Sequence, residues 1–180
     1  KSAKYLPIND DGYWNPKGEV IQAGDKVTLS FEKSDFSLTK PIDSHALYHI
    51  ANGGRSAVTH VIEPVETGQG PIANEAVVRF KIVKPKYPGK DYLFHGAQDN
   101  LYYAEYPNDK ASHWQVRMID RGQGSKLRSG MKVQLQGIRW DKYMTLVDGD
   151  DIQWAKAVRQ GAGETVWTIN KDVPPEPLPK

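Results

Sequence analysis

Three stretches of this 180-residue chain open with the same signal, and that repetition restricts the fold more than any other feature of the sequence. They are Gly24-Asp-Lys-Val-Thr-Leu29, Gly89-Lys-Asp-Tyr-Leu-Phe94 and Gly130-Met-Lys-Val-Gln-Leu135. In each, one apolar residue follows the glycine by three positions and a second by five. Residues two apart share one face of a strand, so both face a core. Three further stretches close alike: Arg79-Phe-Lys-Ile82, His113-Trp-Gln-Val116 and Val166-Trp-Thr-Ile169. Each sets an aromatic two residues before an aliphatic, again on one strand face. Between opening and closure lies a strand centred on a tyrosine: Tyr48, Tyr102 and Tyr143. The last two each follow their glycine by 13 residues.

The repeat units read as about 20–85, 86–125 and 126–173, within one domain spanning 1–173. The first unit is the longest, and loops inserted at 32–44 and 65–74 would account for its length. The second is short between Tyr102 and Trp114. Elsewhere, segments rich in Val, Ile, Thr and Tyr alternate in polarity and stop at Gly, Pro, Asn or Asp. A 3.6-residue apolar period is missing; Trp154–Gln160 is the best helical candidate and reads equally well as a strand. The class is therefore all-β.

With 38% hydrophobic and 26% charged residues, the chain has the balance of a soluble globular domain. No apolar run is long enough to span a bilayer or to act as a signal peptide. The chain begins at Lys1 and reads as a processed product or an excised module. With no cysteine, disulfides and zinc–thiolate sites are excluded. A net charge of +2 gives no pull toward a nucleic acid. Pro174-Pro-Glu-Pro-Leu-Pro179 cannot pair in a sheet, so 174–180 reads as an extended tail or linker.

These three units resemble, over roughly residues 20–170, the β-trefoil superfamily, whose members open a strand pair with Gly-x-x-Val-x-Leu, as the first and third units do here, and carry a late strand with Trp-x-Ile or Phe-x-Ile. Leu47-Tyr-His-Ile-Ala-Asn-Gly-Gly54 and Lys142-Tyr-Met-Thr-Leu-Val-Asp-Gly149 look like the second strand and hairpin of lectin-like and fascin-like trefoils. The resemblance implies a β-trefoil with three unequal repeats; another β-barrel or a β-sandwich is the alternative. Ricin-type lectins carry Gln-x-Trp in each repeat. Here Val78, Ser112 and Thr165 stand at the glutamine position, so that sugar site does not carry over. The superfamily includes lectins, actin bundlers, protease inhibitors and toxin receptor-binding modules, and fold alone does not choose among them.

Candidate chemistry is sparse. His45, His49 and His60 are too far apart along a strand to share one ion and read as scattered surface residues. Asp148-Gly-Asp150-Asp151 and Asn9-Asp-Asp-Gly12 have oxygen ligands but not calcium-loop spacing, and Asp-Gly is itself a hairpin signal. Arg117, Arg121, Lys126, Arg128, Lys132, Arg139 and Lys142 form a basic stretch suited to sulfated or phosphorylated partners, or simply a solvated loop. The aromatics Tyr103, Tyr106, Trp140 and Trp154 are more informative. Phe80, Trp114 and Trp167 already fill the one large core position expected of each repeat. Aromatic faces beside carboxylates and amides suit sugar rings.

The expected ligand-binding set is therefore Tyr103, Tyr106, Asn108, Trp140, Asp148, Asp150 and Trp154, with Trp154 the best candidate for a core role instead. No Gly-x-Ser-x-Gly elbow, phosphate loop or His-Glu-x-x-His is present, and no motif implies a cofactor or a metal. A carboxylate pair for glycoside hydrolysis stays open, because its spacing is spatial. The leading expectation is a secreted, non-enzymatic, lectin-like module that binds a glycan or glycoprotein. A protein-binding trefoil acting through the first-repeat loops, such as an inhibitor or a toxin receptor-binding domain, is one alternative. An intracellular actin- or phospholipid-associated trefoil is another.

Overall fold

The computed structural model describes residues 18–44, 47–66, 68–119, 124–149 and 153–172. The proline-rich tail, His45, Arg121, Asp150, Asp151 and the Asn9–Gly12 turn lie outside them. The strands are β1 (Lys26–Phe31), β2 (Ser37–Leu38), β3 (Ile42–Ser44), β4 (Leu47–Ile50), β5 (Asn52–Gly54), β6 (His60–Pro64) and β7 (Val77–Ile82). They continue with β8 (Tyr92–His95), β9 (Leu101–Ala104), β10 (Trp114–Met118), β11 (Met131–Gly137), β12 (Tyr143–Asp148), β13 (Gln153–Val158) and β14 (Trp167–Lys171).

Antiparallel pairing runs β1–β6–β7–β10–β11–β14 and returns to β1, closing a six-stranded barrel. Closure removes the open edges that a sandwich would leave. Three hairpins sit over one end: β2–β5 with its β3–β4 extension, β8–β9 and β12–β13. This is the β-trefoil fold. Alternate barrel residues face inward, so Val27, Leu29, Phe31, Val78, Phe80, Ile82, Val133 and Leu135 are all buried.

The pseudo-threefold axis is visible in the backbone. Ile21 N–H donates to Leu127 O (2.8 Å), Ile72 N–H to Ile21 O (2.9 Å) and Leu127 N–H to Ile72 O (2.7 Å). Three residues beyond each member of this ring comes a residue with left-handed φ: Gly24 (87°), Glu75 (68°) and Gly130 (90°). Their N–H groups donate to Ile62, Val116 and Ile169 of the closing strands β6, β10 and β14.

These contacts reset the repeat register. The units begin at Ile21, Ile72 and Leu127, and the second opens at Glu75 rather than Gly89. The strand read as closing the first unit, Val77–Ile82, opens the second. The described residues of 65–74 belong to the connector carrying Ile72, matched by the connector carrying Leu127, rather than to an insertion. Tyr143 corresponds to Tyr92, not Tyr102, because each pairs with its opening strand, at Gln136 and Lys81. The Trp154–Gln160 ambiguity resolves as strand β13.

Core chemistry follows the same register. Two residues before the closing aliphatic stand His60, Trp114 and Trp167, all fully buried. Trp114 Nε1 donates to Leu93 O (3.1 Å) and Trp167 Nε1 to Met144 O (2.9 Å). His60 is therefore a core residue and not a surface histidine, and Phe80 is the counterpart of Leu29 and Leu135. Its Nε2 shares a hydrogen bond with the Tyr103 hydroxyl at 2.8 Å. Burial lowers the His60 pKa to about 4 and pushes the Tyr103 hydroxyl up, so both groups are neutral at physiological pH.

Candidate binding site

The expected ligand residues divide among four places. Tyr103, on β9, is 1% exposed and bonded to His60, so its ring belongs to the core and is withdrawn from any surface site. Tyr106 is 52% exposed and packs on Phe94 with ring centroids 6.0 Å apart. Asn108 lines a cleft of about 460 Å³ with Glu63, Gln69, Arg79 and Tyr92. In that cleft Arg79 is committed to holding loops, through Pro107 O (3.1 Å) and Pro64 O (3.5 Å).

Asp148 and Trp154 lie on the β12–β13 hairpin. Asp148 accepts from Gln153 Nε2 at 2.7 Å, as a turn residue does. Half-buried Trp154 pairs with Val147 across the hairpin and with Asn52 of β5. Asp150 lies outside the described residues.

Trp140 stands in the most developed constellation. It occupies the turn between β11 and β12, is 41% exposed, and lines a cleft of about 290 Å³ with Gly96, Ala97, Gln98, Asp99 and Lys142. That cleft joins the β8–β9 hairpin of the second repeat to the β11–β12 turn of the third. The His95 ring meets Trp140 edge to face, centroids 4.6 Å apart at 74°, and stacks on core Trp114 at 6.1 Å. The Arg139 guanidinium lies 4.3 Å from the centre of the Trp140 ring.

Asp99 ties the cleft together. Its Oδ1 accepts from His95 Nε2 at 2.9 Å and its Oδ2 from Lys142 Nζ at 2.7 Å. A carboxylate only accepts, so His95 Nε2 carries the proton. Buried Nδ1 has no hydrogen-bond partner in the structure, which suits a neutral ring with Nδ1 unprotonated. Burial lowers the His95 pKa, against the upward pull of Asp99. Burial acts to raise the Asp99 carboxyl, but the bonds from Lys142 and His95 outweigh it and hold it below its usual range.

The hairpin tip is strained. Gln98 (φ 59°) and Asp99 (φ 61°) are consecutive non-glycine residues in the left-handed region, a conformation costing about 1–2 kcal/mol each. Strain of this kind concentrates at binding and active sites. Gly96 precedes it because a Cβ there would lie 2.1 Å from Cε1 of Tyr102.

Of this candidate constellation, the sequence reading named Trp140 and not His95 or Asp99. Their spacing of four is the only signal the sequence held. Several described members of the basic stretch have partners. Lys132 pairs with Glu32, Lys142 with Asp99, and Arg117 donates to Gln136. Among the described residues, no group of His, Asp and Glu has metal-binding geometry, and no helix is long and apolar enough to cross a membrane.

No protein-family model matches the chain, and no curated protein matches it. Solved structures do. The SDF2-like protein from Arabidopsis thaliana gives a TM-score of 0.68 at 18% identity, over 84% of this chain and 94% of that one. The lysenin pore gives 0.66 at 16% identity, over 87% of this chain and 50% of that one. A complex of lysenin with phosphocholine gives 0.67 at 16% identity, over 89% and 49%. This chain thus spans about half the length of the lysenin chain. At these identities the likeness is one of fold.

Proposed function

We propose that this trefoil is a non-enzymatic carbohydrate-binding module with its principal site at Trp140. One observation carries the reading: an exposed tryptophan beside a paired lysine and carboxylate, in an open cleft framed by a strained loop. Sugar rings offer a C–H face for stacking and hydroxyls that both donate and accept. Lys142 supplies donors, Asp99 acceptors and the Gln98 backbone further polar groups. The Lys142–Asp99 pair carries no net charge, which favours a neutral sugar over a polyanion. Arg139 would slide off the indole face as the sugar arrives, since its link to Asp109 is a long 3.9 Å.

A glycan array with the parent protein and Trp140→Ala tests this. The reading expects hits that weaken at least tenfold in the variant, with unchanged circular dichroism. An array without hits, or hits indifferent to the substitution, would refute it. Such a module acts on glycans or glycoproteins in a secreted setting.

Two cations, Arg139 and Lys142, beside the exposed Trp140 ring support a second reading at the same cleft, with a ligand of the kind seen in the lysenin–phosphocholine complex. There Arg139 and Lys142 would take the phosphate of a zwitterionic headgroup. Co-sedimentation with phosphatidylcholine vesicles, lost in Trp140→Ala while the array stays blank, would select it.

A further inference from the structure

We infer a second ligand site of the same kind, built from Asp43 and His49 of the first repeat and Lys86, Tyr87 and Lys90 of the second; it rests on the carbohydrate reading of the Trp140 cleft. The Trp140 cleft joins the hairpin of one repeat to the β-turn of the next. One step back around the barrel, the β3–β4 hairpin meets the turn between β7 and β8 in the same way.

The geometry is reproduced there. The His49 ring meets Tyr87 edge to face, centroids 5.0 Å apart at 78°, against 4.6 Å and 74° for His95 and Trp140. The residue before each aromatic places its cation over the ring: Lys86 at 5.7 Å and Arg139 at 4.3 Å. Each hairpin supplies a tethered carboxylate. Asp43 accepts from the Tyr87 hydroxyl (2.5 Å) and from the His49 backbone N–H (3.0 Å), where Asp99 accepts from the His95 ring and the Lys142 ammonium. Each hairpin also holds a non-glycine residue at left-handed φ, His49 at 45° in this case. Lys90 completes the set, bonded to Glu105 at 2.8 Å.

The fold does not demand this arrangement. Tyr87 and Trp140 are 39% and 41% exposed, so neither ring is needed to fill the barrel. The third turn, between β1 and β2, carries Phe36 under Arg55, and the β12–β13 segment has no histidine at all. The constellation stands at two of the three hairpin–turn junctions and not at the third, so the trefoil frame does not impose it. The ligand class is the same: a hydroxylated ring stacked on an aromatic, between an ammonium and a carboxylate.

The test titrates ¹⁵N-labelled protein with methyl α-mannoside, methyl β-galactoside and N-acetylglucosamine. The Trp140 indole N–H reports on one site, and the backbone amides of His49 and Tyr87 report on the other. We expect one sugar to move both sets. Tyr87→Ala, and the shape-preserving Asp43→Asn, should silence the second set and leave the first intact. On a surface dense in that sugar, either substitution should weaken retention on the order of 100-fold through lost bivalency. Movement at Trp140 alone overturns the second site and leaves the first reading standing. Movement at neither overturns both.

Discussion

Replacing His60 with tryptophan while replacing Tyr103 with alanine should remove the His60 share of this protein's sensitivity to mild acid. His60 stands where the other repeats place Trp114 and Trp167. Around the axis, Ala51 N–H donates to Leu101 O, and Ala155 N–H donates to Ala51 O. Two residues on, Gly53, Tyr103 and Ala157 are therefore equivalent. Tryptophan holds the first position in two repeats and a small residue holds the second position in two; the exceptions, His60 of the first repeat and Tyr103 of the second, meet each other. The double variant copies the common solution.

The pH term follows from His60. Unfolded, its ring takes a proton near pH 6.5; folded, it refuses one until about pH 4. Between those values the unfolded state binds more protons, so stability falls as pH drops. From pH 7.5 to 4.5 this one group contributes a loss of about 2.5 kcal/mol. His49 and His95 shift in the same direction, so the difference between parent and variant isolates His60.

The assay is urea denaturation by circular dichroism at both pH values, for parent, both single variants and the double. Tyr103→Ala alone should cost about 3–5 kcal/mol by opening a cavity. His60→Trp alone should cost about 1–3 kcal/mol by overpacking against Tyr103. The double should lie within about 1.5 kcal/mol of the parent at pH 7.5, because volume is exchanged rather than lost. A double variant as unstable as the sum of the singles would show that the positions are not packing partners. An unchanged pH difference would show that His60 is not the group responsible.

Two further outcomes follow. Glu75→Gly should raise stability by about 0.5–1 kcal/mol, since relief of the left-handed strain at φ 68° exceeds the added chain entropy; a lower midpoint in urea would contradict this. Asp99→Asn should lower the His95 pKa further, because the carboxylate is what pulls it upward against burial, and ¹H NMR titration of the imidazole reads this directly.

Much of the scaffold was legible before folding was considered. Val27 and Leu29, Val133 and Leu135, and the Trp114 and Trp167 closures are set by strand periodicity and the preference of large apolar side chains for a core. The sequence by itself thus determined the class, the threefold plan and the exposed Trp140. It misplaced the second repeat because the signal for left-handed backbone is glycine, and Glu75 adopts that conformation under tertiary constraint. It misplaced Tyr103 because an aromatic beside polar residues looks the same whether its hydroxyl meets solvent or a buried histidine.

Only the tertiary structure could assemble the site. His95 and Asp99 come from one repeat and Trp140 and Lys142 from the next, and barrel closure sets those elements side by side. Local spacing reports which face of a strand a residue occupies. Which hairpin meets which turn is decided by the order of strands around the ring.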